Sequence, residues 1–122
     1  SEHGNVFVGR EAGKLNNGSY NTVLGYAAFD AVDAGEADNV AIGKAAMGAV
    51  NASSEGNDNV CIGSNAGFGG ATDYFRYNIA IGSNALDATN TSAQTGTIAI
   101  GHNALTELTT GEGNTCIRQG RL

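Results

Sequence analysis

Branched aliphatic residues recur in pairs two apart along this chain: Val40 and Ile42, Val60 and Ile62, Ile79 and Ile81, Ile98 and Ile100. That spacing puts each pair on one side of a β-strand. The residue between them is Ala41, Cys61, Ala80 or Ala99, so the other side is apolar too, but small. A strand that is apolar on both faces is covered on both, as in parallel sheets. The branched face is read as the interior of a coil and these eight residues as its core. The small face is expected to lie against another chain, where close approach needs small side chains.

The strands belong to a repeat. Seven nine-residue units align without gaps, starting at Asn5, Asn21, Asn39, Asn59, Asn78, Thr97 and Asn114. Successive starts are 16, 18, 20, 19, 19 and 17 residues apart. The shared pattern reads Asn, apolar, small, apolar, Gly, two variable positions, Ala, apolar. Self-similarity at such a period is the signature of a solenoid, in which each repeat stacks on its neighbours. Residues 5–122 are therefore read as one repeat domain, with 1–4 as a leader. The absence of an initiator Met and of a basic-then-apolar start reads as a fragment or processed chain without a signal peptide.

Gly25, Gly43, Gly63, Gly82 and Gly101 close the strands, and Gly9 does so in the first unit. A Gly at a fixed place in each coil marks a corner that needs positive φ or close backbone approach. The opening Asn tolerates a left-handed backbone and bonds neighbouring backbone. Stacking would align these Asn residues into a ladder. After the corner come Ala and a larger residue, as in Ala28-Phe29, Ala46-Met47 and Ala85-Leu86. In three repeats another apolar residue stands three further on, at Val32, Val50 and Leu108. One helical turn and a bent strand both fit that spacing.

Composition sharpens the picture. Of 122 residues, 19 are Gly, none is Pro, and Leu, Ile, Val, Met and Phe together number 25. That is thin for a lone compact globule, so repetition and oligomerisation are both implied. Nineteen of those 25 lie in the nine-residue units, whereas ten of the 12 acidic residues lie in the connectors. Units build the core and connectors face water. The expected fold is all-β: a parallel β-solenoid of about seven coils of 16–20 residues, assembled as a homotrimer. A net charge of −6 argues against nucleic acid, which calls for a basic patch. No apolar run approaches the roughly 20 residues of a membrane-spanning helix.

The N-x-A-I-G-x-x-A-L units resemble the repeats of trimeric phage tail-fibre and appendage proteins, including a trimeric β-helix of cyanophage. They are also similar to the head repeats of trimeric autotransporter adhesins. The resemblance spans nearly the whole chain. It implies a trimeric structural module, a rigid stalk or head on a virion or extracellular surface, with a host cell-surface receptor as a partner. It implies no enzymatic activity and no cofactor, and it transfers no active-site residue. The last unit departs from the pattern, with Arg118 in place of Gly, and reads as a terminal cap or a cut through a longer array. The competing enzyme class is a left-handed β-helix acyltransferase. It needs an aliphatic residue at every sixth position, and the hexads between the units fail. Ice binding would need a Thr-x-Thr ladder, which is absent.

Side chains that carry chemistry are sparse. Cys61 and Cys116 share one unit position three coils apart. That is about 14 Å in a stack, beyond the roughly 7 Å reach of a disulfide. They read as small buried residues, or as cysteines meeting their equivalents near a three-fold axis. His102 occupies a position held elsewhere by Arg, Tyr, Lys and Ser, so it reads as solvent-facing, and His3 has no visible partners. The acidic connector Asp30, Asp33, Glu36, Asp38 lacks the spacing of a calcium loop and reads as solvated. The connector at 68–77 holds four of the eight aromatics. Its segment Tyr74, Phe75, Arg76, Tyr77 combines the residue types that dominate binding hot spots. It is the candidate recognition surface, with packing over a neighbouring connector as the alternative.

Overall fold

The structure is a computed structural model and describes residues 4–31, 35–50, 56–69, 74–88, 94–108 and 111–118. His3, Val32, Asp33 and residues 119–122 of the last unit lie outside the described residues. Among the described residues nine short strands occur in order: β1 (Val6–Val8), β2 (Thr22–Leu24), β3 (Val40–Ile42), β4 (Val60–Ile62), β5 (Phe75–Arg76), β6 (Ile79–Ile81), β7 (Gln94–Thr95), β8 (Ile98–Ile100) and β9 (Thr115–Ile117). Seven of them make one parallel sheet in the order β1-β2-β3-β4-β6-β8-β9, and β5 pairs with β7 in a second. The register is that of the gapless alignment: Val40 lies beside Val60, Val60 beside Ile79, and Ile79 beside Ile98. The chain is an all-β parallel β-solenoid of about five turns of ~19 residues. The expected seven coils is too high, since the structure supports about five turns.

The two faces of the sheet are the reverse of the sequence reading. Ala41, Cys61, Ala80 and Ala99 are fully buried and belong to the core cluster. Val40, Ile42, Val60, Ile62, Ile79, Ile81, Ile98 and Ile100 lie on the outer face and are only half-buried. The physical reason is room. Phe29, Met47, Leu86, Leu105 and Phe75 enter the same interior from the other walls of the coil. The strand wall has little space left: Ala or Cys fills it in the later coils, and Val23 is the largest side chain buried in that column. Small residues are needed because a coil closes on itself, not because a second chain approaches.

The glycine corners meet both conditions. Gly43 has φ +127°, and a Cβ there would sit 2.6 Å from the carbonyl oxygen of Gly63 in the next coil. The segment after each corner is neither helix nor bent strand but a run of tight turns. The Ala46 N–H donates to the Gly43 carbonyl at 3.2 Å, and the Gly48 N–H to that of Ala45 at 3.0 Å. Ala45 (φ +56°) and Met47 (φ +52°) occupy the left-handed third positions, as in type II turns. Backbone groups between the turn bonds pair with neighbouring coils: Ala45 N–H with Tyr26 C=O at 2.9 Å, and Met47 N–H with Ala66 C=O at 3.0 Å.

The expected Asn ladder is present and runs inside the coil. The Asn39 side-chain oxygen accepts from the Asn59 backbone N–H at 3.0 Å and from its amide at 3.0 Å. The Asn59 amide also reaches the Phe75 carbonyl at 2.6 Å, tying the sheet to β5 within one turn. Asn21, Asn39, Asn59 and Asn78 are all buried. The left-handed residue is the one before each Asn: Tyr20, Asp38, Asp58 and Tyr77 have φ of 58–61°. The Asn itself is not left-handed, and its side chain makes the ladder.

One rung is broken. Thr97 keeps the ladder's direction, donating its N–H to the Asn78 side-chain oxygen at 2.9 Å, but among the described residues its buried hydroxyl has no hydrogen-bond partner. Thr97→Asn should restore the rung and stabilise the chain by about 1 kcal/mol. A melting temperature equal to or below that of the parent would show that the pocket at Thr97 does not admit the amide.

Candidate functional site

The candidate recognition segment sits at β5 and the corner after it. β5 pairs in parallel with β7, with Phe75 beside Gln94 and Arg76 beside Thr95. Alternation along so short a strand sends Phe75 inward and its neighbours outward. Phe75 is fully buried and is not part of any recognition surface, which corrects the sequence reading for that residue. Its ring contributes to the core, beside the Cα of Gly67 and the Cys61 side chain. Tyr74 and Tyr77 are on the surface, 46% and 58% exposed.

Arg76 lies between the two tyrosines. Its guanidinium carbon is 4.6 Å from the Tyr74 ring centroid and 5.9 Å from that of Tyr77. Cation–π attraction at these distances orients the guanidinium and lowers the entropy cost of any further contact it makes. Tyr77 is placed by its left-handed backbone (φ +58°) and by its N–H, which donates to the Asn57 carbonyl at 3.2 Å. The result is a surface of two phenols with a guanidinium held between them. It offers aromatic area and N–H donors, which suits carboxylates or sugar hydroxyls.

Phe75→Ala and the pair Tyr74→Ser with Tyr77→Ser should therefore behave differently. Phe75→Ala empties a closed interior and should cost about 3–5 kcal/mol of stability. The surface pair should cost about 1 kcal/mol or less. Thermal unfolding monitored by circular dichroism distinguishes them. Similar losses in both would place the tyrosines in the fold rather than on the surface.

The other candidates do not converge. Cys61 and Cys116 are both free and buried, separated along the sheet by Ala80 and Ala99. Burial pushes the Cys61 thiol up to about 12, so it stays protonated and unreactive at neutral pH. His102 is exposed, as its variable position indicates. In the acidic connector Asp38 is exposed and Asp30 half-buried, whereas Glu36 is completely buried, against the reading of a solvated loop. Burial raises the Asp87 carboxyl above its ordinary value, opposed by a hydrogen bond from the Thr106 hydroxyl at 3.0 Å. Among the described residues no group of three or more His, Cys, Asp or Glu side chains is placed to hold a metal ion. No helix among them is long and apolar enough to cross a membrane.

One surface feature is formed by residues that the sequence reading assigned to the interior. The outer face of the main sheet carries two columns of apolar side chains. One includes Val40, Val60, Ile79 and Ile98, and the other Leu24, Ile42, Ile62, Ile81, Ile100 and Ile117. At the open edges exposure is high, 52% at Val8 and 67% at Ile117. No protein-family model, curated protein or solved structure matches the chain.

Proposed function

We propose that the chain is a structural fibre or appendage module, a rigid homotrimeric stalk or head that presents surface side chains for attachment at a virion or extracellular surface. The observation that carries this reading is the outer apolar ladder. A parallel sheet is covered on both faces in stable proteins, and here the coil interior covers only one. Three copies around an axis parallel to the stack would cover the other. A strand crossing of four to six residues is about 13–20 Å wide. A triangle with sides of that length has its centre about 4–6 Å from each side, near half the roughly 10 Å that separates packed sheets. At that distance three ladders would reach one another at the axis.

In this assembly the interface is made by Val and Ile, not by the small residues. Tyr74, Arg76 and Tyr77 remain on the periphery in three copies, where a weak contact to a host surface component gains from avidity. The resemblance of the repeat units to trimeric fibre and adhesin repeats points the same way and supplies the attachment role. No enzymatic step is part of the proposal. Light scattering on the purified chain tests it: the expected solution mass is three times that of the chain. A monomeric mass at micromolar concentration, with the β circular dichroism intact, would remove it.

A further inference from the structure

We infer that Arg76, Tyr77 and an open step beside them form a binding site for a neutral saccharide; this names the ligand class of the attachment surface proposed above and rests on that reading. The step lies in the column of left-handed residues Gly4, Tyr20, Asp38, Asp58, Tyr77, Gly96 and Gly113, all with φ between 58° and 72°. Tyr77 N–H donates to the Asn57 carbonyl, Gly96 N–H to that of Arg76 at 3.1 Å and Gly113 N–H to that of Thr95 at 3.0 Å. Those three residues therefore stand in line on successive coils.

The backbone does not demand glycine at this end of the column. Tyr20, Asp38, Asp58 and Tyr77 hold nearly the same angle with side chains. Among the described residues, a Cβ added at Gly96 or Gly113 would meet nothing within 4 Å. At the other end of the column the equivalent space is filled, since a Cβ at Gly4 would lie 2.9 Å from the Tyr20 ring. On the C-terminal side of Tyr77, then, two exposed coils without side chains span about 10 Å along the stack. That leaves room for a sugar ring beside a tyrosine, whose ring offers apolar area at low entropy cost.

Polar groups line one side of the step. They come from the residue before each member of the column: Arg76, Thr95 and Glu112. Phe75 and Gln94 are buried, so alternation turns Arg76 and Thr95 outward, paired across β5 and β7. Arg76 has contacts within the fold, but a guanidinium carries five N–H donors and can serve a ligand as well. The Thr95 hydroxyl donates and accepts, and the exposed Glu112 carboxylate accepts. A sugar hydroxyl is both donor and acceptor, so this mixture beside an aromatic ring fits a polyol. A phosphate or sulfate would call for donors alone. Asp58 on one side along the stack, Glu112 on the other and a net charge of −6 also oppose a polyanion.

A printed array of neutral and acidic oligosaccharides, probed with the labelled full chain, tests this. The parent should bind neutral glycans and leave heparin unbound. Gly96→Tyr fills the step with a residue the column already carries at Tyr20 and Tyr77. It should abolish binding with the β circular dichroism intact. Arg76→Lys keeps the charge but loses the planar fork, and should weaken binding about tenfold or more. Tyr20→Ser, in the same column but away from the step, should leave binding unchanged. No neutral glycan bound, binding confined to acidic glycans, or binding unchanged in Gly96→Tyr or in Arg76→Lys each overturns the site. Light scattering separates this outcome from the assembly. A trimeric mass with no glycan bound removes the site and leaves the trimer standing. A monomeric mass with neutral glycan bound, and lost in Gly96→Tyr, removes the trimer and leaves the site.

Discussion

Gly82→Val should cost at least about 3 kcal/mol per chain, whereas Ser83→Val, one residue on, should stay within about 1 kcal/mol of the parent. Two independent penalties fall on the first. Gly82 has φ +129°, which a β-branched residue adopts only under strain. A Cβ at Gly82 would also lie 2.6 Å from the Gly101 carbonyl oxygen, 2.7 Å from its carbonyl carbon and 3.1 Å from the His102 nitrogen. All three are backbone atoms of the next coil, so no side-chain rotation relieves the contact. The next coil would have to rise, and the hydrogen bond from Gly101 N–H to Ile81 C=O, 2.8 Å, would lengthen with it. Ser83 has an ordinary backbone angle and a partly exposed side chain. Paired thermal melts decide the matter, and equal melting temperatures would mean that the corner is not glycine for backbone reasons.

The column of glycines is legible in the sequence because it recurs at one place in every coil but the last. The same holds for register: aligning Asn with Asn sets Val40 beside Val60, where the sheet has them. Three features are less legible, each for a physical reason. The facing of the sheet is ambiguous because both sides of the strand are apolar. What settles it is the volume claimed by Phe29, Met47 and Leu86, which reach the interior from residues that are distant along the coil. The left-handed turn residues Ala27, Phe29, Ala45, Met47 and Leu86 are hidden because none of these types favours positive φ. The signal is in sister repeats, where Asn65 and Gly67 occupy the equivalent positions.

Phe75 is the third case. In the connector its neighbours are Tyr74, Arg76 and Tyr77, and a two-residue strand is too short to show a period of two. Its inward direction comes from the column it shares with Gly56 and Gln94. Asn39, Asn59 and Asn78 donate their side-chain amides to the carbonyls of Gly56, Phe75 and Gln94 respectively. The candidate surface therefore shrinks to Tyr74, Arg76 and Tyr77. The broader surface, the aliphatic ladder, is legible residue by residue in the sequence, but on the wrong side of the wall.

Ile81→Asp should separate assembly from coil formation. Ile81 lies on β6 between Ile62 and Ile100, on the outer face and half-buried in the single chain. A carboxylate there remains solvated in a lone chain, so the coil should keep its β circular dichroism. In the trimer it would be taken out of water, and three copies would meet near the axis. Burying unpaired like charges costs several kcal/mol, which is enough to shift a micromolar assembly to monomers. The neighbouring substitution Ala80→Leu should do the opposite kind of damage. Ala80 is fully buried between Cys61 and Ala99, and added volume in that narrow interior should cost about 1–3 kcal/mol through the coil itself. The expected pair of results is a monomeric, folded Ile81→Asp and a less stable but still trimeric Ala80→Leu. A trimeric mass for Ile81→Asp would remove the outer ladder as the interface. Parent-like stability for Ala80→Leu would show room in the coil, and the small residues on the strands would then need the second chain that the coil interior now makes unnecessary.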